Sequence, residues 1–366
     1  MTKTHEPENE RIKREYLAYL REAKRLSEPT LDAVAAAIHQ FEQYTGFRSF
    51  RSFRTEQAVA FKRKLSEKIS AQSGERLSKA TVHRTLAALR GFFHWLAGRP
   101  GFRKRLSYSD ADYFNLSGKD TRIAKARLEQ LVPTTEQIEH VLEVLPNATP
   151  IQRRNRALIA FTLLTGARDG AIASFKLKHL DLSRNLLMQD AREVNTKNSK
   201  TFPTWFFPVP ACVREIVEDW HRFLTKDLLW GPDDPLFPAT RVEVGANLAF
   251  EATGLDRRHW TNAGPIRRIF AESFALTQLP KFHPHSFRKT LARIGQTLRL
   301  GPEEMKAWSQ NLGHESVLTT FTSYGTVTPA RQEEILAKLA IPRSDDDRKL
   351  EMALKLVDAW GQINGR

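Results

Sequence analysis

The chain has 366 residues, enough for two folded domains, and its 41% hydrophobic content with 10% aromatics excludes a disordered polymer. No stretch approaches the roughly 20 apolar residues of a membrane span, and the single cysteine, Cys212, excludes a disulfide framework, so a reducing, cytoplasmic setting is expected. Net charge is +15, with 26 Lys+Arg against 15 Asp+Glu up to Leu131 and 31 against 27 beyond it, so the basic excess is concentrated in the first third and favours a polyanionic partner.

The first segment, 1–113, reads as helices only. Thr30 is placed to cap a helix carrying Val34, Ile38 and Phe41 and ending at Tyr44-Thr45-Gly46. A later helix, about Ala80 to Ala97, sets Val82, Leu86, Leu89, Phe93 and Leu96 on one stripe that must be buried. Its other surface offers Lys79, Arg84, Arg90 and His94, and the run FRSFRSFR at 47–54 interleaves aromatics with arginine. Any one of these is as readily a solvated charge as a phosphate contact; together they describe a helical domain able to lie on a DNA backbone. Residues 114–133 turn polar and basic and end in Pro133, the composition of an interdomain linker.

A second domain, 134–342, opens on Thr134-Thr135-Glu136-Gln137, a capping-box start. An almost wholly apolar helix over 157–164 breaks at Thr165-Gly166, and Arg168 follows the break. Two strands are expected near Leu186 to Val194 and Thr204 to Val209, joined by a polar turn over 195–200 that holds Lys197 and Lys200. The stretch 235–260 reads as irregular. His285 and Arg288, three apart on a helix with Phe287, Leu291, Ile294 and Leu298, share one face. A further helix begins at Gly301-Pro302 and stops at Gly313; His314 follows, and Tyr324 comes ten residues later. A tail over 343–366 places Leu350, Leu354, Val357 and Trp360 on an apolar face. No metal-ligand cluster and no Gly-rich nucleotide loop is present in the sequence.

The pattern H-x-x-R, then L-G-H, then Tyr resembles the second box of the tyrosine recombinases, the phage-integrase family. Arg168 in T-G-A-R is similar to the family's first Arg box. Lys200 in S-K-T, eight residues before Pro208, resembles its hairpin lysine, with Lys197 in N-T-K as the alternative. Three features depart from the family: Ala171 stands where an acidic residue is usual, with Asp169 as a local carboxylate; Lys289 follows Arg288 where His is frequent; and the His314 to Tyr324 spacing is one residue long.

The resemblance implies a mainly α fold with a small β-sheet, an N-terminal helical core-binding domain, and an α+β catalytic domain. It also implies double-stranded DNA as partner, a homotetramer on two sites joined by the C-terminal tail, and no cofactor. The expected chemistry is DNA strand breakage and rejoining in mobile-element integration, excision or resolution. Two guanidiniums match the oxygens of a phosphorane, so Arg168 and Arg288 would hold it. A phenol attacking phosphorus conserves the bond as an ester, which makes Tyr324 the nucleophile. His285 would serve as base or orienting group, Lys200 as general acid to the leaving 5′-hydroxyl, and His314 as a hydrogen-bond donor to the phosphate. The rival readings are type IB topoisomerase-like relaxation and an inactive DNA-binding accessory protein of the same fold.

Overall fold

A computed structural model describes residues 5–70, 74–126, 131–245, 248–298 and 300–314. The chain forms two compact units, Met1–Leu128 and Glu129–Arg366.

The first unit is built from α1 (Pro7–Glu22), α2 (Glu28–Thr45), α3 (Thr55–Glu67), α4 (Lys79–Ala97) and α5 (Gly118–Lys125). The stripe expected on α4 is buried, and its Phe93 joins Phe41, Phe50, Phe53, Phe92 and Phe114 in an aromatic cluster in which Phe53 and Phe93 lie 4.2 Å apart. In the FRSFRSFR run the phenylalanines turn inward and the arginines outward; Arg51 pairs with Glu8 at 2.7 Å. Helix α2 starts earlier than Thr30 suggests, with Ser27 as N-cap, because Pro29 fits the first helical turn, where its missing N–H costs nothing. The stretch read as a linker is helical in its first half: Ser117 Oγ accepts from Asp120 N at 3.0 Å to start α5, and Asp120 pairs with Lys79 of α4.

The second unit is organised around α7 (Pro150–Thr165), buried on all sides from Ala157 to Thr165. Before it comes α6 (Thr135–Val144), whose Thr134–Gln137 capping box forms as the sequence requires. After it come the short α8 (Asp169–Ile172) and a three-stranded antiparallel sheet in the order β1 (Leu180–Asp181), β2 (Leu186–Gln189), β3 (Phe202–Trp205). Both expected strands exist, but each is four residues long and Leu187 faces Thr204, so β3 begins before Thr204 and β2 ends well before Val194. Asp190, bonded to the amide and side chain of Arg192, turns the chain out of the ladder.

Helix α9 (Ala211–Arg222) buries Trp220 against Phe237. The stretch read as irregular is a second hairpin, β4 (Ala239–Val244) with β5 (Phe250–Asp256). Its Val242, Val244 and Phe250 are exposed, so no inward-outward alternation marked it as a strand pair. Last among the described elements are α10 (Gly264–Ala275), α11 (Pro284–Thr297) and α12 (Pro302–Asn311), which pack through Phe270, Phe274, Phe287, Leu291 and Leu312. Among the described residues, no helix is long and apolar enough to cross a membrane.

Candidate active site

Three chain breaks bring the polar residues together. Helix α7 ends at Gly166, whose left-handed conformation (φ 60°) turns the backbone so that Arg168 becomes the N-cap of α8. Helix α11 starts with His283 as N-cap and Pro284 in its first turn, placing His285 one turn ahead of Arg288. Helix α12 ends at Leu312, and Gly313, again left-handed (φ 64°), delivers His314.

Arg288 is the hub. Its side chain is 5% exposed, Nη1 donates to the Gly166 carbonyl, and Nη2 donates to the Leu312 carbonyl and, at 3.3 Å, to His314 Nε2. Both carbonyls belong to helix C-termini, where the macrodipole is negative, so two helices share the burial of this cation. Neither is an anion. Among the described residues, neither Arg288 nor Arg168 forms an ion pair, and Arg288 Nε is buried without a hydrogen-bond partner. Asp169, next to Arg168 in the chain, instead accepts from Arg267 of α10 at 2.6 Å and caps Gly170.

The electrostatics follow from that lack. Loss of hydration, reinforced by Arg168, lowers the Arg288 guanidinium to about 9. Burial also lowers Arg168. His285 is exposed, yet loss of hydration, then Arg288, pushes it down to about 4. His314 is also lowered to about 4, by burial first and then by Arg288, Arg168, His285 and Lys197. Both imidazoles are therefore neutral at pH 7.

The hairpin turn reaches the same place. Asn195 N donates to Ser174 Oγ at 2.9 Å, tying the turn to the residues that follow α8. Lys197 comes two residues later, and the backbone then passes through positive φ at Asn198 and Ser199. Lys200 lines a groove of about 820 Å³ with Trp205, Trp308 and His314. The structure thus gathers Arg168, His285, Arg288 and His314, with both lysines at the edge. Tyr324 and the tail over 343–366 lie outside the described residues. The two main-chain carbonyls that hold Arg288 carry no side-chain signature and escaped the sequence reading.

On α4, Lys79 pairs with Asp120 at 2.8 Å, Arg90 with Asp112 at 2.9 Å, and His94 packs on Tyr108 at 4.7 Å. Arg84 is exposed. Three of the four expected DNA contacts therefore have partners within their own unit.

Residues 14–99 match the family described as phage integrase, N-terminal SAM-like domain. The chain is 24% identical over 312 residues to the tyrosine recombinase XerC of Xanthomonas axonopodis pv. citri, covering 84% of this chain and 89% of that protein. It is 31% identical over 107 residues to XerC of Bacillus licheniformis, covering 29% of this chain and 32% of the relative. Among solved structures, a lambda integrase dimer bound to a COC′ core site superposes with a TM-score of 0.59 at 15% identity, covering 86% of this chain and 76% of the other. The Tn1549 transposon integrase in complex with a circular intermediate DNA gives 0.57 at 14% identity, covering 90% and 99%. These last two likenesses are of fold. Along most of its length the chain is therefore similar to tyrosine recombinases, with the family match in its first unit and a fold shared with the integrases.

Proposed function

We propose that the protein is a site-specific recombinase that breaks and rejoins double-stranded DNA through a covalent 3′-phosphotyrosine, in integration, excision or resolution of mobile DNA. The observation that carries this reading is the pair Arg168 and Arg288: two guanidiniums with two neutral imidazoles, and no carboxylate paired with either arginine among the described residues. In a site of low dielectric, an uncompensated positive field of this shape favours a phosphate, and favours it more as charge builds up toward a phosphorane.

In this reading Tyr324 Oη attacks the scissile phosphorus while His285, a neutral ring able to take the phenolic proton, assists. The bond from phosphorus to the 5′-oxygen breaks, and that oxygen leaves with a proton from a hairpin lysine. His314, whose Nε2 faces Arg288, offers the proton on Nδ1 to a phosphate oxygen. Attack by the 5′-hydroxyl of a second strand reverses these steps and frees the tyrosine, so rejoining needs no cofactor. The sequence pattern favours Lys200 as the acid; we assign Lys197 instead, because its charge acts on His314 and its turn is tied through Asn195 to Ser174, just after the helix that Arg168 caps.

The first unit would hold the duplex. The lambda integrase tetramer bound to a Holliday junction has the same fold as this chain (TM-score 0.56), and we propose a similar assembly of four protomers on two sites, working in the cytoplasm. The test is a nicked duplex drawn from the DNA flanking the gene. A covalent protein–DNA adduct on a denaturing gel, absent in Tyr324→Phe, is the expected result. Specific binding without an adduct would favour an inactive accessory protein.

A further inference from the structure

Strand β3 lies at the edge of its sheet, so among the described residues its outward main-chain groups lack a strand partner. At Trp205 they are nevertheless paired. Asn311, in the last turn of α12, accepts from Trp205 N through Oδ1 at 2.7 Å and donates from Nδ2 to Trp205 O at 2.8 Å. Its carboxamide pairs with the strand as a neighbouring peptide would. Thr204 Oγ1 adds a bond to the Asn311 carbonyl at 3.3 Å.

The seam continues on both sides of this fork. Gly313 lies so close to β3 that a Cβ there would stand 2.5 Å from the Phe202 ring, and Phe207 packs edge-on against Trp308 at 4.9 Å. One side of the seam is therefore the strand that follows Lys197 and Lys200. The other is the helix end that supplies the Leu312 carbonyl to Arg288 and then His314. Only a carboxamide fits the fork: an aspartate lacks the donor for the Trp205 carbonyl, and an aliphatic side chain lacks both groups.

We infer that Asn311 is a positioning residue of the strand-breaking reaction, fixing the α12 terminus, and with it His314, in register with the strand that follows the hairpin lysines. The inference rests on the function proposed above. Asn311 acts through its neighbours: the lysine and the imidazole must meet one phosphate, and the fork hydrogen-bonds the strand after the lysines to the helix end before His314.

The test uses the full-length protein with Asn311→Ala and Asn311→Asp. Both variants are expected to bind the nicked duplex with wild-type affinity. Adduct formation should slow by roughly 10- to 100-fold in Asn311→Ala, the scale of a displacement of about 1 Å at a reacting group. Asn311→Asp, which keeps the acceptor for Trp205 N–H, should fall between that variant and wild type.

The second readout is the titration of the His314 ring by NMR. Its midpoint should move in Asn311→Ala from about 4 toward the ordinary 6.5, as the ring leaves Arg288. An Asn311→Ala protein that forms adduct at the wild-type rate overturns the inference, as does one whose loss follows only its folded fraction with the midpoint unmoved. If wild type forms no adduct, the parent reading fails, and the seam is judged on the midpoint alone: unmoved, it is refuted.

Discussion

Arg288 Nη2 donates to His314 Nε2 across 3.3 Å, and because a guanidinium has no acceptor, that ring nitrogen is unprotonated. The contact fixes both the tautomer of His314 and the roll of the guanidinium, whose Nη atoms are also held by Gly166 and Leu312. A lysine ammonium, with its donors on one nitrogen, does not reproduce the planar fork that reaches two helix-end carbonyls and an imidazole at once.

Arg288→Lys is expected to retain DNA binding by the first unit and to lower the rate of adduct formation by about 10²–10³-fold, the effect of losing an oriented donor to a developing oxyanion. Single-turnover assays on the nicked duplex measure this. A rate within a factor of about three of wild type would remove Arg288 from the transition state.

The two histidines make stability depend on pH in a defined window. Their folded midpoints, about 4, lie below the ordinary 6.5, so between those values the unfolded chain binds protons that the folded chain does not. Stability conferred by the neutral rings is fully present above about pH 6.5 and declines as pH falls toward about 4, below which the slope ends. Urea unfolding of wild type and a His285→Gln/His314→Gln variant should show a steeper decline for wild type within that window and parallel curves above it. Parallel curves throughout would contradict the assigned protonation states.

Gly166 combines two constraints. Its φ is +60°, and a Cβ there would stand 2.9 Å from Leu291 and 3.0 Å from Leu312. Gly166→Ala is expected to cost about 1–2 kcal/mol for the left-handed conformation, and about 1–3 kcal/mol for overpacking if the leucines shift. Because the Gly166 carbonyl holds Arg288, activity should fall further than the loss of folded protein explains. Calorimetry with the adduct assay separates the two effects.

The lysines are separable by leaving-group chemistry. Lys197→Ala should slow cleavage by about 10²–10⁴-fold, the range of general-acid catalysis, and Lys200→Ala by less than about 10-fold. A duplex with sulfur at the bridging 5′ position expels a thiolate that needs no proton, and it should restore Lys197→Ala. Rescue of Lys200→Ala instead would return the acid role to Lys200.

Much of the framework was legible in the chain itself. Apolar spacing marked α4 and α11, Thr134 and Gln137 marked a helix start, and Gly166 and Gly313 marked the two breaks, because caps and helical stripes are set by neighbours within a turn or two. His285, Arg288, His314 and Tyr324 suggested a phosphate pocket from the chain itself, and Arg168 joined them through the resemblance of T-G-A-R to the family's first Arg box.

Long-range pairing was not legible in the same way. The β4–β5 hairpin shows no alternation in burial over 241–244 and 250–253, which are exposed throughout, although Leu255 at its base joins the core. The basic side chains of α4 read as open cations until Asp112 and Asp120 folded onto them. Asp169 stood beside Arg168 in sequence, yet its carboxylate turns to Arg267, 98 residues away. The support of Arg288 by two main-chain carbonyls, and of β3 by the Asn311 carboxamide, was decided only in three dimensions. Every residue has a carbonyl, and which one meets a guanidinium depends on where two helices end relative to each other.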